Sequence, residues 1–171
     1  MSSPRLPQIS DFPPSLTLTI TPPSTGSPIN ILILLHGLGD THLPFTKLAA
    51  QLNLPETVCI SIQGLNPIPA LFTGSDDPAF HWGDDVLVDE RKGEIDFDAG
   101  FTSTVKAIRG VVIEDVLMKK CNYPARNIHF FGFGQGGMAA LAIAACELEF
   151  GGVVSIGGRA SSSTLGGRWR G

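Results

Sequence analysis

The run "INILILLHG", residues 29 to 37, sets the first condition on any fold for this chain. Apart from Asn30, residues 29 to 35 are aliphatic without alternation, so both faces of the strand they predict must be covered. A strand of that kind belongs at the centre of a parallel sheet with helices on both sides. The rest of the chain supplies the partners. "LTLTI" (16 to 20) alternates with period two and predicts an antiparallel edge strand, broken by the turn "TPPSTGSP". "TVCISIQ" places Val58, Ile60 and Ile62 on one face of a strand, and "IHFFGFG" and "GGVVSIGG" give two more. Helical spacing recurs after "HGLGD", with Pro44 near the start and Phe45, Leu48 and Leu52 in step. It recurs again from Phe97 to Lys120, where Phe97, Phe101, Val105, Ile108, Val112, Val116 and Leu117 form a stripe, with Asp98 and then Lys119 and Lys120 suited to the helix dipole. "QGGMAALAIAACEL" is a third helix. Strand and helix alternate, which predicts an α/β fold with a mostly parallel central sheet and helices on both faces.

Three parts are expected: a Ser- and Pro-rich flexible lead-in over 1–15, one domain over 16–158, and a disordered Arg/Ser/Gly tail over 159–171. Within the domain, the segment from "GLNPIPALFTGSDDPAFHWGDD" to "DERKGEIDFD" has no clear period and carries nine of the sixteen acidic residues, between Asp76 and Asp98. Unpatterned loops of that length are usually functional or mobile. Its acids read as solvated loop charges, since the ligand spacing of a calcium loop is absent, and no metal is expected. A net charge of -4 without a basic stretch argues against a nucleic-acid partner. Cys59, Cys121 and Cys146 form no C-x-x-C pair, which suits reduced thiols in the cytoplasm. There is neither a signal-type apolar segment nor a run long enough to span a bilayer, and nothing in the sequence sets an oligomeric state.

The turn in "NIHFFGFGQGGMAALAIAAC" fits two motifs as text. Gly132, Gly134 and Gly137 have the G-x-G-x-x-G spacing of a dinucleotide turn, but that fingerprint opens the first βαβ unit and needs a carboxylate about 20 residues on. At the end of "GVVSIGG" there is none, and Arg159 is the sole candidate for a 2′-phosphate. The second motif is the G-x-S-x-G nucleophile elbow, which demands small flanks around one strained residue. Gly132 and Gly136 supply the flanks, and the backbone N–H of Gln135, with another from the turn "HGLGD", would cradle an oxyanion. The serine is missing, because its place is Gly134.

"LLHGLGDT", "AFHWGDD" and "GFGQGGMAAL", in this order, resemble the acyl-protein thioesterase and phospholipase/carboxylesterase family of α/β hydrolases, whose elbow reads G-F-S-Q-G-G. The likeness runs from about Ile31 to about Gly158. It implies a truncated α/β-hydrolase fold and an ester or thioester hydrolase, acting on acyl esters or S-acylated proteins without a cofactor. It makes Leu38 and Gln135 the oxyanion-hole donors, sets Trp82 in the segment lining the acyl site, and puts Gly134 at the nucleophile. Without an Oγ there is nothing to deprotonate and no acyl-enzyme to form. In this family the Asp and His follow the serine after further strands, whereas His36, His42, His81 and His129 all precede the elbow and the chain stops first. The expectation is therefore a family member impaired in the serine mechanism, with a non-catalytic acyl-ligand-binding protein and a dinucleotide-binding protein as alternatives. His36 reads as turn chemistry rather than a base, and Cys146 as a small buried helix residue rather than a substitute nucleophile. Glycine at position 134 would relieve about 1 to 3 kcal/mol of backbone strain. A final strand "GVVSIGG" would leave an open parallel edge, and with it a low unfolding midpoint.

Overall fold

The computed structural model describes residues 3–84, 87–89, 94–96 and 100–160. Among these described residues the strands are β1 (Leu18–Thr21), β2 (Asn30–Leu35), β3 (Thr57–Ile62), β4 (Asn66–Pro67), β5 (Phe80–His81), β6 (Leu87–Asp89), β7 (Glu94–Asp96), β8 (Ile128–Phe133) and β9 (Gly152–Ile156). Five of them form the main sheet in the order β1-β3-β2-β8-β9, with β1 antiparallel to β3 and every other pair parallel. The aliphatic run thus lies at the centre, with Ile33 in register between Ile60 and Phe130.

Both faces of that strand are covered, as its composition requires. Ile31, Ile33 and Leu35 join Val58, Ile60, Ile62, Ile128 and Phe130 against Phe101, Ile108, Val112, Ala139 and Ile143. Leu34 points the other way, onto Cys59 and Ala49, with Phe45 and Leu48 of α1 (Leu43–Leu52) packed alongside. Each fully buried aliphatic side chain stabilises the fold by about 1.5–3 kcal/mol relative to exposure. Leu52, expected on the buried face of α1, is instead exposed at its end.

The helix expected over Phe97–Lys120 begins at Thr102. Its first turn is α3 (Thr102–Val105), continued without a break by a π-helical stretch, Lys106–Lys120, that ends with the Cys121 N–H on the Val116 carbonyl, 2.9 Å. The wider winding brings Ile108, Val112, Ile113, Val116 and Leu117 together on the core, so Ile113 is buried although the 3.6-residue stripe omits it. Phe97 and Asp98 lie outside the described residues. The last helix, α4 (Gln135–Ala144), stops before Cys146, which is half-buried in the following turn rather than within a helix.

The N-terminal stretch corrects the expectation of a loose lead-in. Phe12 is in the main core, Pro7 is buried, and the Arg5 N–H donates to the Cys121 carbonyl, 3.1 Å. The Arg5 guanidinium grips both Asp11 oxygens at 2.7 and 2.8 Å. That pairing, helped by the Gln8 N–H, holds the Asp11 carboxyl down to about 2. A carboxyl depressed in the folded state adds stability above its unfolded value and loses it as pH falls through the folded one. An acid titration of unfolding should therefore show a decline between about pH 4 and 2 that is smaller in Asp11→Asn, which has no carboxyl to protonate.

The unpatterned segment after β3 is also ordered where it is described. β4 and β5 pair antiparallel around α2 (Ala70–Thr73), and β6 and β7 form a second ladder. Most of the acidic stretch from Asp85 to Asp98, and the tail beyond 160, lie outside the described residues.

Candidate active site

Two turns meet above the C-terminal ends of β2 and β8. After β2, Leu35 and His36 lead into Gly37, Leu38 and Gly39, the last with φ of +81°. After β8, Phe133 leads into Gly134, whose φ of 53° and ψ of -121° turn the chain sharply into α4. This is the strained geometry of a nucleophile elbow, in a region that suits glycine. A Cβ built on Gly134 would face the open side of the turn, its nearest neighbour being the Gly37 Cα at 3.9 Å. Room for a side chain is retained, and the chemistry is missing.

The flanking glycines are required by packing. A Cβ on Gly132 would strike the backbone of Gly136 and Gly137, and one on Gly136 would strike the carbonyl oxygens of Leu35 and His36. One on Gly137 would approach the Ser155 hydroxyl to 2.5 Å. Close contact between the α4 start, β2 and β9 thus accounts for this glycine density. The Gly134 N–H donates to the Ile156 carbonyl at 2.8 Å, tying the elbow to β9.

Leu38 and Gln135, whose amides were expected as oxyanion donors, occupy these two turns, Leu38 at the surface and Gln135 buried. Trp82, expected to line the acyl site, has no exposed surface. Its indole N–H donates to the His36 carbonyl and its backbone N–H to the Gln135 Oε1, both at 2.8 Å. Its own carbonyl accepts from the Thr104 hydroxyl at 2.6 Å. Asp84, two residues on, accepts from the Thr102 and Ser103 N–H groups at 2.6 and 2.7 Å and from the Ser103 hydroxyl. Partial burial pushes the Asp84 carboxyl up, but these donors together hold it below its ordinary value. Sequence reasoning missed Thr104 and Asp84, because their partners are far away along the chain.

His36 is fully buried, and its Nε2 accepts from the Gly64 N–H at 2.8 Å. Nδ1 therefore carries the proton and donates to the Gly37 carbonyl at 2.7 Å. The ring is structural, as expected, and burial lowers its basicity despite the Gly37 hydrogen bond. Because its folded pKa lies below its unfolded one, stability is present above about pH 6.5 and declines as pH falls below it, where the unfolded chain binds the extra proton. Unfolding free energies at pH 7.5 and 5.5 should differ in that direction, and the difference should shrink in His36→Gln. Cys59 is buried, and burial pushes its thiol up to about 11, which leaves it protonated and inert.

Among the described residues, no cluster of three or more His, Cys, Asp or Glu could hold a metal, and no helix is long and apolar enough to cross a membrane.

Residues 19 to 165 match the family described as phospholipase/carboxylesterase. An uncharacterized hydrolase of Schizosaccharomyces pombe is 36% identical over an alignment of 137 positions that covers 75% of this chain and 53% of that protein. In structure, the chain is similar to Zea mays acyl-protein thioesterase 2 (TM-score 0.53, 24% identity, covering 76% of this chain and 51% of the other). It is similar also to the Bacillus cereus carboxylesterase (TM-score 0.57, 18% identity, covering 85% and 63%). The chain thus spans about half the length of the curated relatives it matches.

Proposed function

Because the chain belongs to the phospholipase/carboxylesterase family of hydrolases, we propose that its site receives an acyl ester or thioester but does not cleave it by the serine route. The observation that carries this reading is Gly134, an elbow residue with the turn geometry of a nucleophile and no oxygen to attack with. An acyl group is favoured by the surface around the two turns. Leu38, next after Gly37, and Phe133, whose ring lies against Gly37, are 42% and 52% exposed. The β4–β5 ladder, joined to the first turn by the Gly39 N–H on the Phe80 carbonyl, carries Leu71 and Phe72 outward on α2. Exposed apolar side chains on the first turn, at the strand end before the elbow and on α2 suit a hydrocarbon chain on a lipid or an S-acylated protein. The free cysteines fit a reducing compartment, and we place the protein in the cytoplasm.

Titration with a fluorescent fatty-acyl probe is expected to give saturable binding, and a fluorophosphonate reagent to leave residue 134 unlabelled. Hydrolysis of a short-chain ester that the same reagent abolishes would overturn the inactive reading, and absence of saturable binding would remove the acyl ligand. Gly134→Ser should still fold, since the Cβ has room, with a loss of about 1 to 3 kcal/mol from its positive φ.

A further inference from the structure

Trp82 is bonded at once to the element that ends in the first turn and to the residue that follows the elbow. Its indole N–H reaches the His36 carbonyl, immediately before Gly37, and its backbone N–H reaches the side chain of Gln135, immediately after Gly134. Its carbonyl is held from behind by Thr104, a fully buried hydroxyl at the head of the long helix. Asp84 fastens the same short segment to that helix end, through Thr102 and Ser103 and through its own N–H on the Gly100 carbonyl at 2.9 Å. The His36 ring, 5.1 Å from the indole between centroids, is fixed in turn by Gly37 and Gly64.

We propose that Trp82 is a positioning residue, a bridge that fixes the separation of the Gly37–Asp40 turn from the Gly134–Gly136 elbow and touches no ligand itself. The three bonds of Trp82 itself are buried, so a severed arm leaves an N–H or a carbonyl without water or partner, and the local structure must open to satisfy it. None of these bonds involves the nucleophile position. The receiving shape therefore persists in a chain whose residue 134 carries no side chain. What that shape receives rests on the acyl-ligand reading above, whereas the bridge does not.

Amide hydrogen exchange on two variants tests the bridge, each variant cutting one arm. Trp82→Phe keeps an aromatic ring and removes the indole donor together with part of the ring volume; Gln135→Met keeps the length of the side chain and removes its whole amide, the acceptor included. Each is expected to speed exchange at both Gly39 and Gly137, whose N–H groups donate to the Phe80 and Gly134 carbonyls, by tenfold or more beyond any change in the central amides of β2 and β8. Acceleration confined to the cut end, or uniform with the strands, would mean that Trp82 is a core residue only, and the proposal would fall. Should Trp82→Phe fail to fold, Gln135→Met decides alone through its effect on Gly39, in the distant turn. Titration of the unsubstituted protein with the fatty-acyl probe is read separately, so failure to bind would end the acyl reading and leave the exchange result standing.

Discussion

Gly136→Ala is expected to destabilise the protein by at least about 3 kcal/mol, a large effect for one methyl group. The added carbon would lie within bonding-clash distance of two backbone oxygens, those of Leu35 and His36, at the end of the central strand. Neither can withdraw, since β2 is paired on both sides and the His36 carbonyl already accepts from the indole of Trp82. The start of α4 would have to move off the sheet, taking the elbow with it. For a chain of this size the loss corresponds to a fall in midpoint on the order of 6–12 °C. Gly110→Ala is the matched control, because a Cβ there meets nothing within 4 Å and the residue lies inside a helix. Alanine at that position should leave stability unchanged or raise it by about 0.5–1 kcal/mol. Thermal unfolding of both variants checks the contrast, and similar midpoints would show that α4 does not pack against β2 as described.

Trp82→Ala should cost about 3–5 kcal/mol, the range for emptying a large aromatic site in a core. The side chain is fully buried, and its removal also strands the His36 carbonyl. Denaturant unfolding should show a lower midpoint with an unchanged slope, which marks lost stability rather than an altered denatured state. A loss under about 1 kcal/mol would contradict a fully packed indole.

The main sheet was legible because its strands are long enough to carry a pattern. Val58, Ile60 and Ile62 alternate onto one cluster, and the unalternating run before His36 predicts the central, doubly covered position it occupies. The elbow was legible for a different reason: Gly132 and Gly136 each lie hard against the backbone of two other residues, and that demand leaves a local mark in the sequence. Nothing comparable marks β4 or β5, since a two-residue strand has no period to read. The Trp82–Asp84 segment fails to announce itself because each of its bonds spans from 16 to 53 residues of chain. Arg5 and Phe12 hide among prolines and serines, and the hold of each on the fold comes from tertiary packing alone. The π-helical winding escaped a stripe laid out at α-helical spacing for the same reason.

The contact between Ser155 and the glycines of α4 bears on how the chain finds this fold. On β9 the Ser155 hydroxyl lies against Gly137, and the elbow N–H finds its acceptor one residue later, on Ile156. If β9 docked one residue out of step, Val154 or Ile156 would be driven into that space and the elbow would lose its acceptor. Such an arrangement could not close. The tight glycine seat thus fixes the register of β9 against β8 from the side of the helix, independently of the ladder between the two strands.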